Sequence, residues 1–320
     1  MQYQEGLNGI GRNNREDNPS WCREVLERIS NSWEARSCVR RNTFPSKLMF
    51  EDDKPDFLIE LIPFRHHPLF IKADEAMKSK ILTCGWLAYN EKTLAIENDI
   101  ISPACRSILD GKVPGATDEV SIRLVSETLV DEAYHVLMTV HACRLTRTYR
   151  QMAPLSFPEF NLVRGMKMLQ QQCEHEWQKI IVQLSTAIVS EVFISDYLGL
   201  LSHSNEIQLI NKLTVEAHRR DELVHSRIFK IITPFIYNAM NNEQKNFFAS
   251  VLPQPIHWFA NNELVVWESM LNQIGFKDSH ILINDCRADL DENLNSIDYS
   301  GVVSIAEELG IYDFKERVGQ

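Results

Sequence analysis

Residues 131–135 read Asp-Glu-Ala-Tyr-His, and residues 221–225 read Asp-Glu-Leu-Val-His. Both copies of this Asp-Glu-x-x-His pattern fall in runs with helical apolar period, predicted as helices over 117–150 and 204–240. Pro234 either kinks or breaks the second run. Each copy has a lone glutamate upstream in its own apolar helical stretch: Glu97 in a helix predicted over 73–101, ending before Pro103, and Glu191 in one over 174–202. The interval is 35 residues from Glu97 to Glu132 and 31 from Glu191 to Glu222. Two such helix pairs, set face to face, make a four-helix bundle with these side chains inward.

Helical geometry decides which of these residues can act together. Residues three apart lie about 60° apart around the axis and roughly 4.5 Å along it, so Glu132 and His135 share a face. On the second helix, with His218 as zero, Glu222 falls near 40° and His225 near −20°. All three therefore point one way. Carboxylates are hard anionic ligands that offset metal charge, and imidazoles suit Fe(II). Two of the glutamates, one from each half, can bridge two ions while the others bind terminally. Calcium would favour an all-oxygen loop and structural zinc would favour cysteine. Asp131 and Asp221 lie off the metal-facing line but within reach of an imidazole on a neighbouring helix, where a ligating histidine needs an acceptor. Glu191 follows Thr186-Ala187-Ile188-Val189-Ser190 and precedes Val192-Phe193-Ile194, a setting in which a carboxylate requires a partner. Glu97 follows Leu94-Ala95-Ile96.

The rest of the chain bounds this reading. At 320 residues, 44% hydrophobic and 24% charged, the composition is that of a soluble globular protein. A net charge of −11 argues against nucleic acid as a partner. Seven scattered cysteines without a C-x-x-C predict reduced thiols and a cytoplasmic setting. No secretory signal and no membrane span are expected. Residues 1–18 are predicted to be a flexible arm, and 19–320 a single all-α domain. A short helix is expected over Trp21 to Trp33. The segment 42–72, with Pro45, Pro55, Pro63 and Pro68, is expected to be extended and wrapped on the domain. Further helices are predicted over 158–172, Gln244–Leu252, Asn261–Gly275 and Val302–Leu309.

Other candidates carry less. His66-His67 sits in a proline-rich stretch and reads as structural. His141 falls about 240° from His135 and so on another face. Cys84 and Cys143 lie inside helices and read as buried rather than reactive. Tyr89 is about 80° off the Glu97 line and reads as core, with pocket lining as the second reading.

At these residues the chain resembles the non-haem di-iron N-oxygenases typified by p-aminobenzoate N-oxygenase. The resemblance rests on Trp86 to Glu97, Val130 to His135, Glu191, and His218-Arg-Arg-Asp-Glu-Leu-Val-His225. Ile62-Pro63-Phe64 and His67-Pro68-Leu69-Phe70 add to it, and the similarity spans roughly residues 55 to 315. His218 separates this family from ribonucleotide reductase subunits and acyl-carrier desaturases. The resemblance implies a ferritin-like four-helix bundle with added N- and C-terminal helices. It implies two iron ions held by Glu97, Glu132, His135, Glu191, His218, Glu222 and His225. It also implies O2 as co-substrate, an external electron donor and a homodimer serving natural-product biosynthesis. The product would be a hydroxylamine or, further on, a nitroso or nitro compound.

The substrate pocket is less determined. In the stretch Ser296-Ile297-Asp298-Tyr299-Ser300-Gly301, Ile297 stands where the resemblance places an arginine of the aminobenzoate enzyme. Tyr89 and Ile297 are the candidate pocket residues. Because an arylamine acid needs a cationic anchor, an amino-acid amine, free or tethered to a carrier protein, stands beside an arylamine. A redox partner is required, since no flavin or nicotinamide fingerprint appears. The alternatives are a di-iron C–H oxidase of hydroxylase or desaturase type, and a ferritin-like iron-binding protein.

Overall fold

The computed structural model describes residues 19–41, 50–260, 262–288 and 298–318. The predicted arm over 1–18 and the candidate Ile297 lie outside these residues. Among the described residues every regular element is helical, and the architecture is an all-α, ferritin-like bundle. In chain order α1 spans Pro19–Arg36, α2 Cys38–Arg41, α3 Pro68–Ile71 and α4 Glu75–Ile96. Then come α5 Ser102–Leu109, α6 Glu119–Tyr149, α7 Asn161–Gln171, α8 Glu176–Ser202 and α9 Leu209–Ala239. The C-terminal cover is α10 Asn242–Val251, α11 Gln254–Ala260, α12 Leu264–Gln273, α13 Ser279–Ala288, α14 Ser300–Glu308 and α15 Phe314–Val318.

The four long helices α4, α6, α8 and α9 form the bundle. α8 packs on α9, while α6 packs on both α4 and α9. Their starts follow from local chemistry. Asp74 accepts from Met77 N at 2.8 Å to open α4, and Asp118 accepts from Ser121 N at 3.2 Å to open α6. Gly115, at φ +86, turns the chain before α6 where a Cβ would lie 2.2 Å from Phe235 O. α8 is long and apolar enough to cross a membrane by length and composition, but 83% of its apolar window is buried in the domain. It is the core helix, which is why its one central carboxylate, Glu191, is so informative.

Three boundaries depart from the sequence expectations. The first long helix does not end before Pro103. It passes through a π-helical turn, Glu97–Ile101, into α5, with Pro103 in the first turn of that helix. Pro103 cannot donate to the carbonyl of Asp99, and the Gln183 amide on α8 does so instead. Its Nε2 donates to Asp99 O at 3.0 Å and Ile100 O at 2.8 Å. Of the two readings for Pro234, the break is excluded, since α9 runs through it as one helix. The segment predicted over 261–275 is preceded by a separate short helix, α11, and α13 and α15 were not anticipated. Within 50–72 the chain follows turns and two short helical pieces, a 3-10 turn at Ile59–Leu61 and α3.

Candidate metal centre

The four bundle helices bring all seven sequence-predicted glutamates and histidines to one place at mid-bundle. Two groups of potential ligand atoms form there, each with its atoms within 4.8 Å of one another. One contains Glu97, Glu132, His135, His218 and Glu222; the other contains Glu132, Glu191, Glu222 and His225. Glu132 and Glu222 belong to both. These are the paired glutamates of the two Asp-Glu-x-x-His motifs, one from each half, and two metal ions could share them. All seven side chains are buried.

The distances show which atoms face the centre. His135 Nδ1 lies 3.1 Å from Glu132 Oε2 and 3.0 Å from Glu222 Oε1. His225 Nδ1 lies 2.8 Å from Glu132 Oε1 and 3.5 Å from Glu222 Oε1. His218 approaches through its other nitrogen, with Nε2 3.3 Å from Glu97 Oε1 and 3.0 Å from Glu222 Oε1. The π-helical turn begins at Glu97 itself, the irregularity at which such turns commonly mark function.

The outward nitrogens are paired across the bundle. His135 Nε2 meets Asp221 Oδ2 at 3.2 Å, and His225 Nε2 meets Asp131 Oδ2 at 3.2 Å. Each aspartate therefore serves the imidazole of the opposite helix. A carboxylate in that position orients the ring and raises its basicity towards a metal.

Electrostatics show what the site lacks without ions. Burial, then Glu132, holds the Glu97 carboxyl well above the ordinary range. Burial, then Glu222 and Glu132, does the same to Glu191. Burial and Glu222 also push Glu132 upward, but His225, Glu97 and His135 outweigh them and leave it at about 2. Glu222 is held well below its usual value because His225, His135 and His218 overcome its burial. Burial opposes the charged forms of His135 and His225, yet surrounding carboxylates raise both. His218 is lowered by burial and by His135. Without metal, protons hold the cluster together; ions binding there would displace them.

The donor set fits two divalent cations. Both Glu191 oxygens and Glu97 Oε2 are buried and reached by no N–H or hydroxyl of the chain, while Glu132 Oε1 and His225 Nδ1 meet each other at 2.8 Å. Orphaned carboxylate oxygens in a core are costly unless a cation meets them. Four glutamates balance the charge of two divalent ions, and mixed carboxylate–imidazole donors suit iron.

A family model described as p-aminobenzoate N-oxygenase AurF matches residues 21–310. The chain belongs to the p-aminobenzoate N-oxygenase family. It is 28% identical to the 4-aminobenzoate N-oxygenase of Streptomyces thioluteus over 301 residues, covering 92% of this chain and 90% of that enzyme. As a member of this family it is an enzyme, a non-haem di-iron monooxygenase of the N-oxygenase type.

A cavity of about 690 Å³ lies against α4, α8 and α11, and none of the seven cluster residues is among those that line it. Its inner wall includes Tyr89 and Lys92 on α4, Phe193 and Tyr197 on α8, and Phe259 on α11. Phe193 is two residues past Glu191, about 3 Å along the helix and about 200° around it, so the two side chains leave α8 on different faces. Tyr89 both packs in the core and lines the cavity, stacked on Tyr197 at 4.4 Å. Lys92 is buried, ion-paired with Glu263 at 3.1 Å and 5.0 Å from the Phe259 ring centroid. The mouth carries the exposed Glu60, Asp196 and Asp298.

Sequence reasoning missed the residues behind the aspartates. Trp33 Nε1 donates to both Asp131 oxygens at 3.0 Å, and Ser37 Oγ donates to Asp131 Oδ1 at 2.5 Å. The Cys38 amide donates to Asp221 Oδ2 at 3.1 Å. Nothing local in 33–38 signals this, since the partners are 94 to 183 residues away. Lys92 and Glu263 were missed for the same reason. Burial pushes the Cys84 and Cys143 thiols up to about 12, in keeping with packing rather than reactivity.

Proposed function

We propose that this enzyme uses two irons and O2 to oxidise the nitrogen of a small amine to a hydroxylamine, or onward to nitroso or nitro, in natural-product biosynthesis. The observation that carries the reading is the pair of buried ligand groups sharing Glu132 and Glu222. The proposed iron ligands are Glu97, Glu132, His135, Glu191, His218, Glu222 and His225. Iron held there would supply O2 activation and oxygen-atom transfer. Making a hydroxylamine takes one O2 and two electrons and two protons, and releases water. The electrons come from a separate redox partner.

The protein's own residues set the conditions. Asp131 and Asp221 orient His225 and His135 through their outer nitrogens. Tyr89, Phe193, Tyr197 and Phe259 give the cavity an aromatic wall suited to a flat or apolar substrate body. The volume suits a small-molecule ligand. Lys92 is already neutralised by Glu263, so it does not offer an unpaired cation to a substrate carboxylate. Arg65 is the other cation in the lining, and it could meet the carboxylate of either an amino acid or an arylamine acid. The exposed mouth suits either a free amine or one borne on a carrier arm. Val130, Leu137 and Val140 are exposed on α6 and supply an apolar stripe for a homodimer. Seven cysteines, none in a disulfide, suit a cytoplasmic setting.

The test is anaerobic loading with Fe(II), then labelled O2 with a panel of free and carrier-bound amines, followed by mass spectrometry. Two irons per chain and label on nitrogen are expected. Label on carbon, loss of two hydrogens, or iron oxidation without amine consumption would each overturn the reading.

A further inference from the structure

The turn joining α1 to α2 grips both aspartates that stand behind the candidate ligands, and it grips them by different means. Asp131 is held by two side chains, the Trp33 indole and the Ser37 hydroxyl. Asp221 is held by a main-chain donor, the Cys38 amide, with Arg36 Nη1 3.9 Å away. Cys38 also seats its thiol on Ala217 O at 2.9 Å. It packs against Met138 and Ala217, beside His135 and His218 in sequence. The turn therefore spans α6 and α9 directly behind the metal-facing residues.

We infer that Trp33 and Ser37 are positioning residues for one of the two metal positions, the one with a single imidazole. This rests on the di-iron reading above. Asp131 accepts from His225, and His225 is the imidazole of the group formed with Glu132, Glu191 and Glu222. The other group contains His135 and His218 and leans on Asp221. An aspartate fixed by three hydrogen bonds from the N-terminal turn holds its imidazole in one orientation. Without them Asp131 can rotate, and His225 loses its fixed acceptor. The position with two imidazoles keeps its main-chain-held aspartate and is spared. The turn thus makes the two positions unequal in retention.

Trp33→Phe retains the ring and removes the N–H; Ser37→Ala removes the hydroxyl; Ser37→Thr restores it. Each variant, and the pair Trp33→Phe with Ser37→Ala, is loaded with Fe(II) as the full chain. Iron loss to a chelator is followed by metal analysis, and Mössbauer spectra are taken before and after. In the double variant one iron of two should leave about 10- to 100-fold faster than in the wild type. The surviving spectrum should be that of a single site, and Ser37→Thr should retain both irons. Thermal unfolding of the metal-free proteins shows that each variant is folded. Loss of both irons at one common faster rate would overturn the inference, and so would wild-type retention of both. If the wild type itself binds no iron, it is the di-iron reading that fails.

Discussion

Replacing Glu191 by leucine should stabilise the metal-free protein while crippling its metal site. Glu191 is fully enclosed on the core helix; no N–H or hydroxyl donor reaches its carboxylate oxygens, and its hydrogen-bonding neighbour is another carboxyl, Glu222. A buried, unsatisfied polar group costs about 1–3 kcal/mol, and leucine at this apolar position removes that cost with little change in volume. The metal-free variant should therefore gain about 1–3 kcal/mol. At about 2.1 cal/mol/K per residue, over 320 residues, 1 kcal/mol moves the midpoint by roughly 1.5 °C. A rise of about 1.5–4.5 °C is expected.

The gain should depend on pH. Burial, then Glu222 and Glu132, raises the folded-state pKa of Glu191 above its unfolded value. Such a group loses stability as pH rises through the window between the unfolded value, near about 4.3, and the raised one. The leucine variant lacks this loss, so its advantage should widen as pH rises from 5 to 8. Metal reverses the trend. An ion in hundredfold excess over its Kd stabilises by about 2.7 kcal/mol, and the variant retains one full ligand group where the wild type has two. The assay is thermal unfolding with and without Fe(II) under anaerobic conditions, at several pH values. A metal-free variant less stable than the wild type would refute the reasoning, as would an equal gain from metal in both proteins.

Other expectations concern the scaffold and the cavity. Asp118→Ala removes the cap of α6 and should cost about 1 kcal/mol at pH 7 in urea unfolding. Burial opposes it, but the Ser121 bonds lower the Asp118 pKa, so its contribution is present above the unfolded value and is lost as pH falls through the folded one. The difference from wild type should accordingly shrink in acid. Gly115→Ala forces a Cβ against Phe235 O at a positive φ and should cost at least about 2 kcal/mol, read as a lower thermal midpoint. Lys92→Met removes the ion pair of the buried Glu263, which keeps the Asn161 amide as a donor at 3.0 Å, and should cost about 3 kcal/mol with iron content unchanged; adding Glu263→Leu should recover part of that loss in denaturant titrations.

The bundle was legible because helical period is a local property. Glu132 and His135, or His218, Glu222 and His225, are placed on one face by spacing alone. What spacing does not carry is the partner on another element. Asp131 and Asp221 could be proposed as imidazole acceptors. That each serves the opposite helix, and that Trp33 and Ser37 stand behind one of them, depends on packing between distant segments. Pro103 misled for a related reason. Proline normally ends a helix, but Pro103 falls in the first turn of α5, and the remote Gln183 amide satisfies the carbonyls of Asp99 and Ile100 that the π-helical turn exposes. The short helices α11, α13 and α15 are too brief to form without the surfaces they cover, so local period gives them little signal.

The crossed aspartate–histidine pairs have a consequence for the chain as an assembly. A cut in the link between α7 and α8 would put Asp131 and His135 on one fragment and Asp221 and His225 on the other. Neither fragment would then own a matched pair, because each ring's acceptor sits on its counterpart. The two halves are reciprocal debtors in the manner of a two-fold symmetric contact. Tight metal uptake by the severed fragments would thus report their reunion, and the centre doubles as a sensor of whether the two halves have met.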